Sequence, residues 1–348
     1  MKIAFFSKQL PSDEPNGVSV QVHRLAGCLT VLGHDVTVFT FSPKPDDAPY
    51  HVNTLPRRDT GSTLRKFTAA RMFASVTTGG YDILHYHGDD YLSSGSHRRV
   101  RTFYGSALRE AIHAKTPGRF FYQALFYFFE WISCIRRGRL VTISNDTKRW
   151  LPLITVTIPC GVPLDRYRPA AVKTAHPSLL FLGDFNSRKR GSILLDAFKK
   201  DILTRFPDAI LTVVGPVPCT GNGIRYAGRL SEDALIEAYR IHWVFCMPSS
   251  YEGFGVPMIE AMACGTPVVA TINAGSRRLI EHETNGLLCR EEDLGKKLVR
   301  LLGDSALRER CATGGAKTAH EYDITSIARR YEELYRTLIE TAPSRQQL

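Results

Sequence analysis

Short apolar runs alternate with longer amphipathic stretches along this chain, and that alternation restricts the fold more than any other feature. In the first half the runs are Lys2–Phe6, Asp35–Phe41, Ile83–His85, Leu140–Ile143 and Thr155–Pro159; in the second they are Leu179–Leu182, Ala209–Val214, Trp243–Met247 and Pro267–Thr271. Runs this short and this continuously apolar suit strands buried on both faces of a parallel sheet, with the periodic segments between them forming crossover helices. The first such helix begins at Val18, with Gln21, Leu25, Ala26 and Leu29 following, and ends before Gly33. Right-handed crossovers then predict an α/β fold of two doubly wound sheets.

A chain of 348 residues exceeds what one hydrophobic core usually supports, which also predicts two domains. Residues 159–169 carry a glycine and three prolines and read as an irregular connector, so the join is placed at about residue 166. No run of eighteen apolar residues exists to span a membrane. The opening residues, Met1–Ser7, read as a strand and not as a signal peptide. None of the eight cysteines forms a CxxC pair and most lie in apolar runs, so buried free thiols in a reducing cytoplasm are expected, with no zinc site and no disulfide framework.

The net charge of +11 is uneven: residues 1–169 hold 22 Lys and Arg against 13 Asp and Glu, and residues 170–348 hold 23 against 21. That asymmetry suggests an anionic partner for the first half, an acidic acceptor or a membrane surface. No zinc finger, RNP-type signature or compact helix-turn-helix supports nucleic acid as the partner. The segment 97–139 concentrates arginines around the aromatic run Phe120–Ile132. Two readings stay open for it, a helix lying at a lipid interface or gripping a lipid-linked acceptor, and a core helix of the first domain.

In open α/β sheets ligands sit beyond the carboxyl ends of the strands. Trp243–Met247 is such a strand, Pro248–Gly255 its loop, and Pro257 suits the first turn of the next helix, which Cys264-Gly265-Thr266-Pro267 would stop after two turns. Gly253 and Gly255 let the backbone approach a ligand. Amides at that helix start suit a diphosphate or a sugar hydroxyl. Glu260, early in the helix, is placed to accept two ribose hydroxyls, and Glu252, in the loop, lies nearer whatever the diphosphate carries.

The stretch Pro248–Ala270, containing Glu252-Gly253-Phe254-Gly255-Val256-Pro257-Met258-Ile259-Glu260, closely resembles the E-x7-E region of family 4 retaining glycosyltransferases. Weaker matches follow in order along nearly the whole chain: Asn16-Gly17-Val18, Gly33–Val38, Asp82–His87, Ile158–Val162, Asn273-Ala274-Gly275 and Asn285-Gly286-Leu287. The resemblance implies a GT-B fold, two Rossmann-like domains facing a central cleft. Residues 1–165 would form the acceptor-binding domain, 166–322 the nucleotide-sugar donor domain, and 323–348 a C-terminal helix packing back toward the first. It also implies transfer of a hexose with retention from a nucleotide diphosphate sugar, UDP by family frequency, without a metal or other cofactor. The acceptor would be a cell-envelope, exopolysaccharide or lipid-linked saccharide, met in the cytoplasm or at the inner face of its membrane.

Carried over residue by residue, the resemblance assigns Gly17, Gly183, Gly253, Phe254, Gly255, Val256 and Glu260 to donor binding, and His87, Lys189, Arg190 and Glu252 to catalysis. Asp89 and Asp90 become acceptor candidates. His85 is taken as a core residue on the opposite side of its strand from His87. One departure is visible. Where the family pattern has Gly-Arg followed by Lys-Gly, this chain reads Gly183-Asp184 and then Arg188-Lys189-Arg190-Gly191. An aspartate cannot stabilise a departing diphosphate, so one donor contact is missing or comes from elsewhere, and Arg190 or Lys189 can still supply positive charge. A nucleotide-sugar epimerase of the same fold and a catalytically inactive nucleotide-sugar-binding protein are the competing readings.

Overall fold

Two all-parallel sheets organise the chain in the computed structural model, which describes residues 1–12, 16–56, 67–112 and 116–341. The packing divides the chain into one unit of Met1–Gly161 with Ile324–Leu348 and a second of Val162–Asp323. The sequence reading placed these divisions at residues 165 and 322. The first break falls earlier because Val162 already belongs to the second unit, its amide donating to the Tyr322 carbonyl at 2.8 Å.

The first unit runs β1 (Lys2–Phe6), α1 (Gly17–Val31), β2 (Asp35–Thr40), β3 (His51–Thr54), α2 (Thr68–Ser75), β4 (Ile83–Tyr86), β5 (Arg99–Phe103), α3 (Ala107–Ile112), α4 (Pro117–Ile135), β6 (Arg139–Thr142), α5 (Asn145–Trp150) and β7 (Val156–Thr157). Its sheet has the order β3-β2-β1-β4-β5-β6-β7. The second unit runs β8 (Ser178–Leu182), α6 (Gly191–Ala197), a π-turn into α7 (Leu203–Arg205), β9 (Ile210–Val214), β10 (Ile224–Gly228), α8 (Glu232–Ile241), β11 (Val244–Met247), α9 (Val256–Ala263), β12 (Val268–Thr271), α10 (Ala274–Leu279), β13 (Leu287–Cys289), α11 (Leu294–Gly303) and α12 (Ser305–His320). Its order is β10-β9-β8-β11-β12-β13. The last helix, α13 (Ile324–Glu340), belongs to the first unit.

Central strands are apolar on both faces because helices cover both: β1 buries Ile3, Ala4, Phe5 and Phe6, and β11 buries all four of its residues. Four strands escaped the apolar-run pattern. β3 and β10 lie at sheet edges and are partly exposed, β13 has three residues, and β5 carries Arg99 and Arg101. The first core packs Val22, Leu25, Ala26 and Leu29 of α1 and Ile327, Ala328, Tyr331, Tyr335 and Leu338 of α13 with the β1, β2 and β4 side chains. All eight cysteines are free, six of them buried. Among the described residues no helix is long and apolar enough to cross a membrane.

Candidate active site

In the second sheet β8 and β11 are neighbours, and the chain turns outward from them toward opposite edges. Such a switch point opens a crevice beyond the carboxyl ends of the two strands. The loops that reach it are residues 183–190, after β8, and 248–255, after β11.

The first loop is shaped by Asp184. Its Oδ1 accepts the amides of Asn186 at 3.1 Å and Ser187 at 2.6 Å, an Asx turn, while the Gly191 amide donates to its carbonyl at 3.2 Å. The residue that breaks the family pattern is thus the one that folds the basic triplet back on itself. Gly183 has φ 147°, and a Cβ there would stand 2.7 Å from Lys189 Cβ, so only glycine lets the lysine pass. Arg190 sits at φ 52°.

Two of the three cations converge on one carboxylate. Lys189 Nζ is 2.7 Å and Arg188 Nη1 2.9 Å from Glu252 Oε1. Burial opposes the charge of Glu252, but Lys189 and Arg188 overcome it and hold its carboxyl below the usual carboxylate range. Arg188 is held twice more. Its carbonyl accepts the Ser250 amide at 2.9 Å, and its Nη1 donates to the Tyr251 carbonyl at 2.9 Å. Arg190 goes elsewhere: it donates to the Pro248 carbonyl at 2.8 Å and the Thr271 hydroxyl at 3.2 Å, and pairs with Glu291. Arg190 and Lys189 are the cations expected at the site, but only Lys189 and Arg188 reach Glu252.

The helix expected after the second loop is α9. Gly255 precedes it at φ 95° and Pro257 lies in its first turn. Gly275 is forced too, because a Cβ there would stand 2.8 Å from the Glu252 carbonyl. Glu260 is buried, and its Oε2 accepts the Tyr239 hydroxyl at 3.0 Å. Burial and the adjacent carboxylate keep that phenol protonated, so it remains a donor. Phe254 turns its ring into the unit, against Tyr322 at 5.6 Å and beneath the Arg278 guanidinium at 4.6 Å. Its side chain packs within the unit.

The first unit has its own switch point at β1 and β4. Asn16, between β1 and α1, accepts the Val18 and Ser19 amides at 3.0 Å each, leaving the Gly17 amide outside that cap. Among the described residues, and apart from its own helix turn and chain neighbours, no atom lies within 4 Å of where a Gly17 Cβ would stand. His87 follows β4. Its Nδ1 meets the Tyr104 hydroxyl at 2.9 Å, while its Nε2 is buried and has no hydrogen-bond partner among the described residues. Burial first, then Arg101, lowers the His87 pKa to about 3, so the ring is neutral.

Two expectations are corrected here. His85 is a core residue, bonded to the Tyr335 hydroxyl at 2.6 Å and the Thr102 hydroxyl at 2.8 Å, but it shares the face of His87, their rings 4.0 Å apart. Residues two apart on a strand point the same way. Asp90 is not presented to an acceptor: it is 1% exposed, paired with Arg99 and with Arg101 at 3.1 Å, and accepts the Ser133 hydroxyl at 2.7 Å. Burial opposes its charge, and Arg101 and Arg99 hold it ionised. Asp89 is half-buried at φ 53°, and burial raises the pKa of its carboxyl.

Residues 15–166 match the model of Glycosyltransferase Family 4, and residues 176–304 that of Glycosyl transferases group 1. The chain is 30% identical to a phosphatidyl-myo-inositol mannosyltransferase of Mycobacterium leprae over 363 residues, spanning 94% of each chain. It belongs to the family 4 glycosyltransferases. Among solved structures it resembles sucrose-phosphate synthase from Thermosynechococcus elongatus, with a TM-score of 0.81, 22% identity and coverage of 98% of this chain and 100% of that one. It also resembles Anabaena Alr3699/HepE in complex with UDP and glucose, with a TM-score of 0.74, 15% identity and coverage of 97% and 100%. The two units are the Rossmann-like halves of the GT-B fold.

Proposed function

We propose that this chain is a retaining glycosyltransferase that moves a hexose from a UDP-sugar to a saccharide or lipid-linked acceptor of the cell envelope or an exopolysaccharide. The convergence of Lys189 and Arg188 on Glu252, at the carboxyl ends of β8 and β11, carries the proposal. It puts fixed positive charge beside a buried carboxylate at the mouth of a sheet, where a diphosphate and the sugar it carries are held together. The mannosyltransferase relative supports a hexose, and the HepE complex supports UDP.

In this reading the early amides of α9 and the glycines around it bind the diphosphate, and Glu260, braced by Tyr239, takes the ribose hydroxyls. The bond from the anomeric carbon to the diphosphate oxygen breaks, leaving its electron pair on that oxygen. The acceptor hydroxyl bonds to the same face of the carbon and passes its proton to the departing oxygen. No side chain acts as nucleophile. Side-chain cations and amides meet the charge as it develops, and positioning does the rest. His87 offers its unpartnered Nε2 to a sugar hydroxyl, and the Gly17 amide and the Asp89 carboxylate serve the donor and the acceptor.

Helix α4 leaves Phe120, Phe121, Leu125 and Phe128 exposed, with Arg119 before them and Arg136 and Arg137 after its end. That pattern supports peripheral contact with an anionic membrane.

A thermal-shift comparison of UDP, GDP and ADP tests the nucleotide, since a ligand of the folded state raises its stability. Transfer from UDP-sugars by the purified protein, abolished in Glu252→Ala, tests the activity. Full activity in both Glu252→Ala and Glu260→Ala would overturn the site assignment.

A further inference from the structure

A cleft of about 320 Å³ opens at the amino ends of β11 and β12, the other end of the second sheet from the loops of the candidate active site. Its walls belong to the second unit: Lys173 ahead of β8, Trp243 ahead of β11, Pro267 ahead of β12, and Arg308, Glu309 and Ala312 on α12. That volume lies in the range of small-molecule sites.

Two cations line the cleft, and among the described residues neither makes an ion pair. Lys173 Nζ donates to the Thr266 hydroxyl at 2.6 Å, and that hydroxyl donates in turn to the Tyr239 carbonyl. A neutral hydroxyl does not balance an ammonium. Burial lowers the Lys173 pKa to about 8, against a smaller opposing effect of Cys264. Arg308 is fixed on two sides. Its Nη1 donates to the Leu302 carbonyl at 2.7 Å and the Leu301 carbonyl at 3.1 Å, and its guanidinium lies 4.3 Å from the centre of the Trp243 ring. Its Nε and Nη2 make no hydrogen bond among the described residues, and that edge can grip an oxyanion through two parallel N–H groups. Asp304, whose charge Arg308 also feels, accepts the Leu307 amide at 2.9 Å and caps α12.

The lining therefore carries two positive charges and one negative, Glu309 being exposed. A ligand with a single negative charge balances it. Trp243, Pro267 and Ala312 offer an apolar wall to the rest of that ligand. We propose that this cleft binds a small organic monocarboxylate with an apolar body, its carboxylate held by Arg308 and Lys173 and its body set against Trp243. The cleft opens away from Glu252 and Lys189, so its occupant is not the sugar donor.

The chain has three tryptophans, Trp131, Trp150 and Trp243, so their indole N–H resonances follow the cleft directly, with Trp243 assigned by Trp243→Phe. The full chain is titrated with cyclohexanecarboxylate, with its uncharged counterpart cyclohexylmethanol, with acetate and with inorganic phosphate. Cyclohexanecarboxylate is expected to shift Trp243 saturably and leave Trp131 and Trp150 in place. It should bind about tenfold more tightly than any of the other three, and Lys173→Met and Arg308→Gln should each weaken it about tenfold.

Unfolding temperatures are read for each variant. Arg308 also ties α12 to the end of α11, so Arg308→Lys stands in if Arg308→Gln does not fold. Unchanged affinity in a folded variant overturns the role of that cation. Equal binding of cyclohexylmethanol overturns the charge argument, and tighter binding of phosphate or acetate overturns the apolar carboxylate as the ligand class. A Trp243 signal that no probe moves overturns the site.

Discussion

Lys189 Nζ lies 2.7 Å from Glu252 Oε1, a contact between the loops that leave two neighbouring strands, β8 and β11. The ion pair joins the two loops. Lys189→Ala is expected to lower kcat about 10²-fold, as loss of one fixed charge at a developing anion does, with little change in unfolding temperature. Arg190→Ala is expected to do the reverse. It unties Pro248 and Thr271 and lowers the unfolding temperature by about 2–4 °C, with the smaller effect on turnover. Steady-state kinetics beside thermal unfolding of the two variants checks the split.

Restoring the family residue at position 184 is expected to harm the protein. Asn offers the same side-chain oxygen to the Asn186 and Ser187 amides and keeps the turn, whereas Asp184→Arg and Asp184→Ala each lose it, at about 1 kcal/mol. Transfer rates should rank Asp184→Asn near the unmodified enzyme and Asp184→Arg well below. A faster Asp184→Arg enzyme would refute this account of the loop.

Asp90→Asn is expected to destabilise the first unit by about 3 kcal/mol, because it leaves Arg99 and Arg101 without their shared buried carboxylate. Urea unfolding measures the loss. At a temperature where the variant stays folded, the acceptor KM should not move.

His87 is neutral when folded, with its pKa lowered to about 3 by burial and by Arg101. A histidine held neutral contributes stability that is full above its unfolded pKa near 6.5 and is lost as pH falls toward 3. Between pH 6.5 and 5 the unfolding free energy should therefore drop, and His87→Gln, which does not titrate, should flatten that slope. Chemical denaturation across the range gives the comparison.

Glu130 behaves in the opposite sense. Burial raises its pKa to about 7, against the Ala107 amide it accepts at 3.0 Å. Its stabilising contribution is present at low pH and lost as pH rises through 7. Glu130→Gln keeps an acceptor for that amide and should raise stability at pH 8 by about 2 kcal/mol, with no gain at pH 5. Thermal unfolding at the two pH values decides it.

Most of this architecture was legible because central strands must be apolar on both faces. β1, β2, β4, β8, β9, β11 and β12 all announced themselves as continuous runs. β5 did not, since Arg99 and Arg101 interrupt it, and the reason is a buried ion cluster that no local pattern reveals. The E-x7-E segment located the β11 loop and α9 because its glycines and proline dictate backbone shape. The partner of Glu252 was less legible. Three consecutive basic residues look alike in sequence, and which of them reaches the carboxylate depends on a turn made by Asp184 and on the left-handed Arg190. Asp90 failed for a related reason: a carboxylate beside a candidate histidine looks solvent-facing until the strand next to it supplies two guanidinium groups.

The bond between Tyr335 and His85 joins positions 250 residues apart. Helix α13 closes the core that β1 opens, so the first unit cannot finish assembling until α13 has been synthesised. The donor-side unit, a continuous insertion between those two pieces, has no such dependence and can complete itself while the nascent chain is still growing. The order of maturation is thereby the reverse of the order of translation.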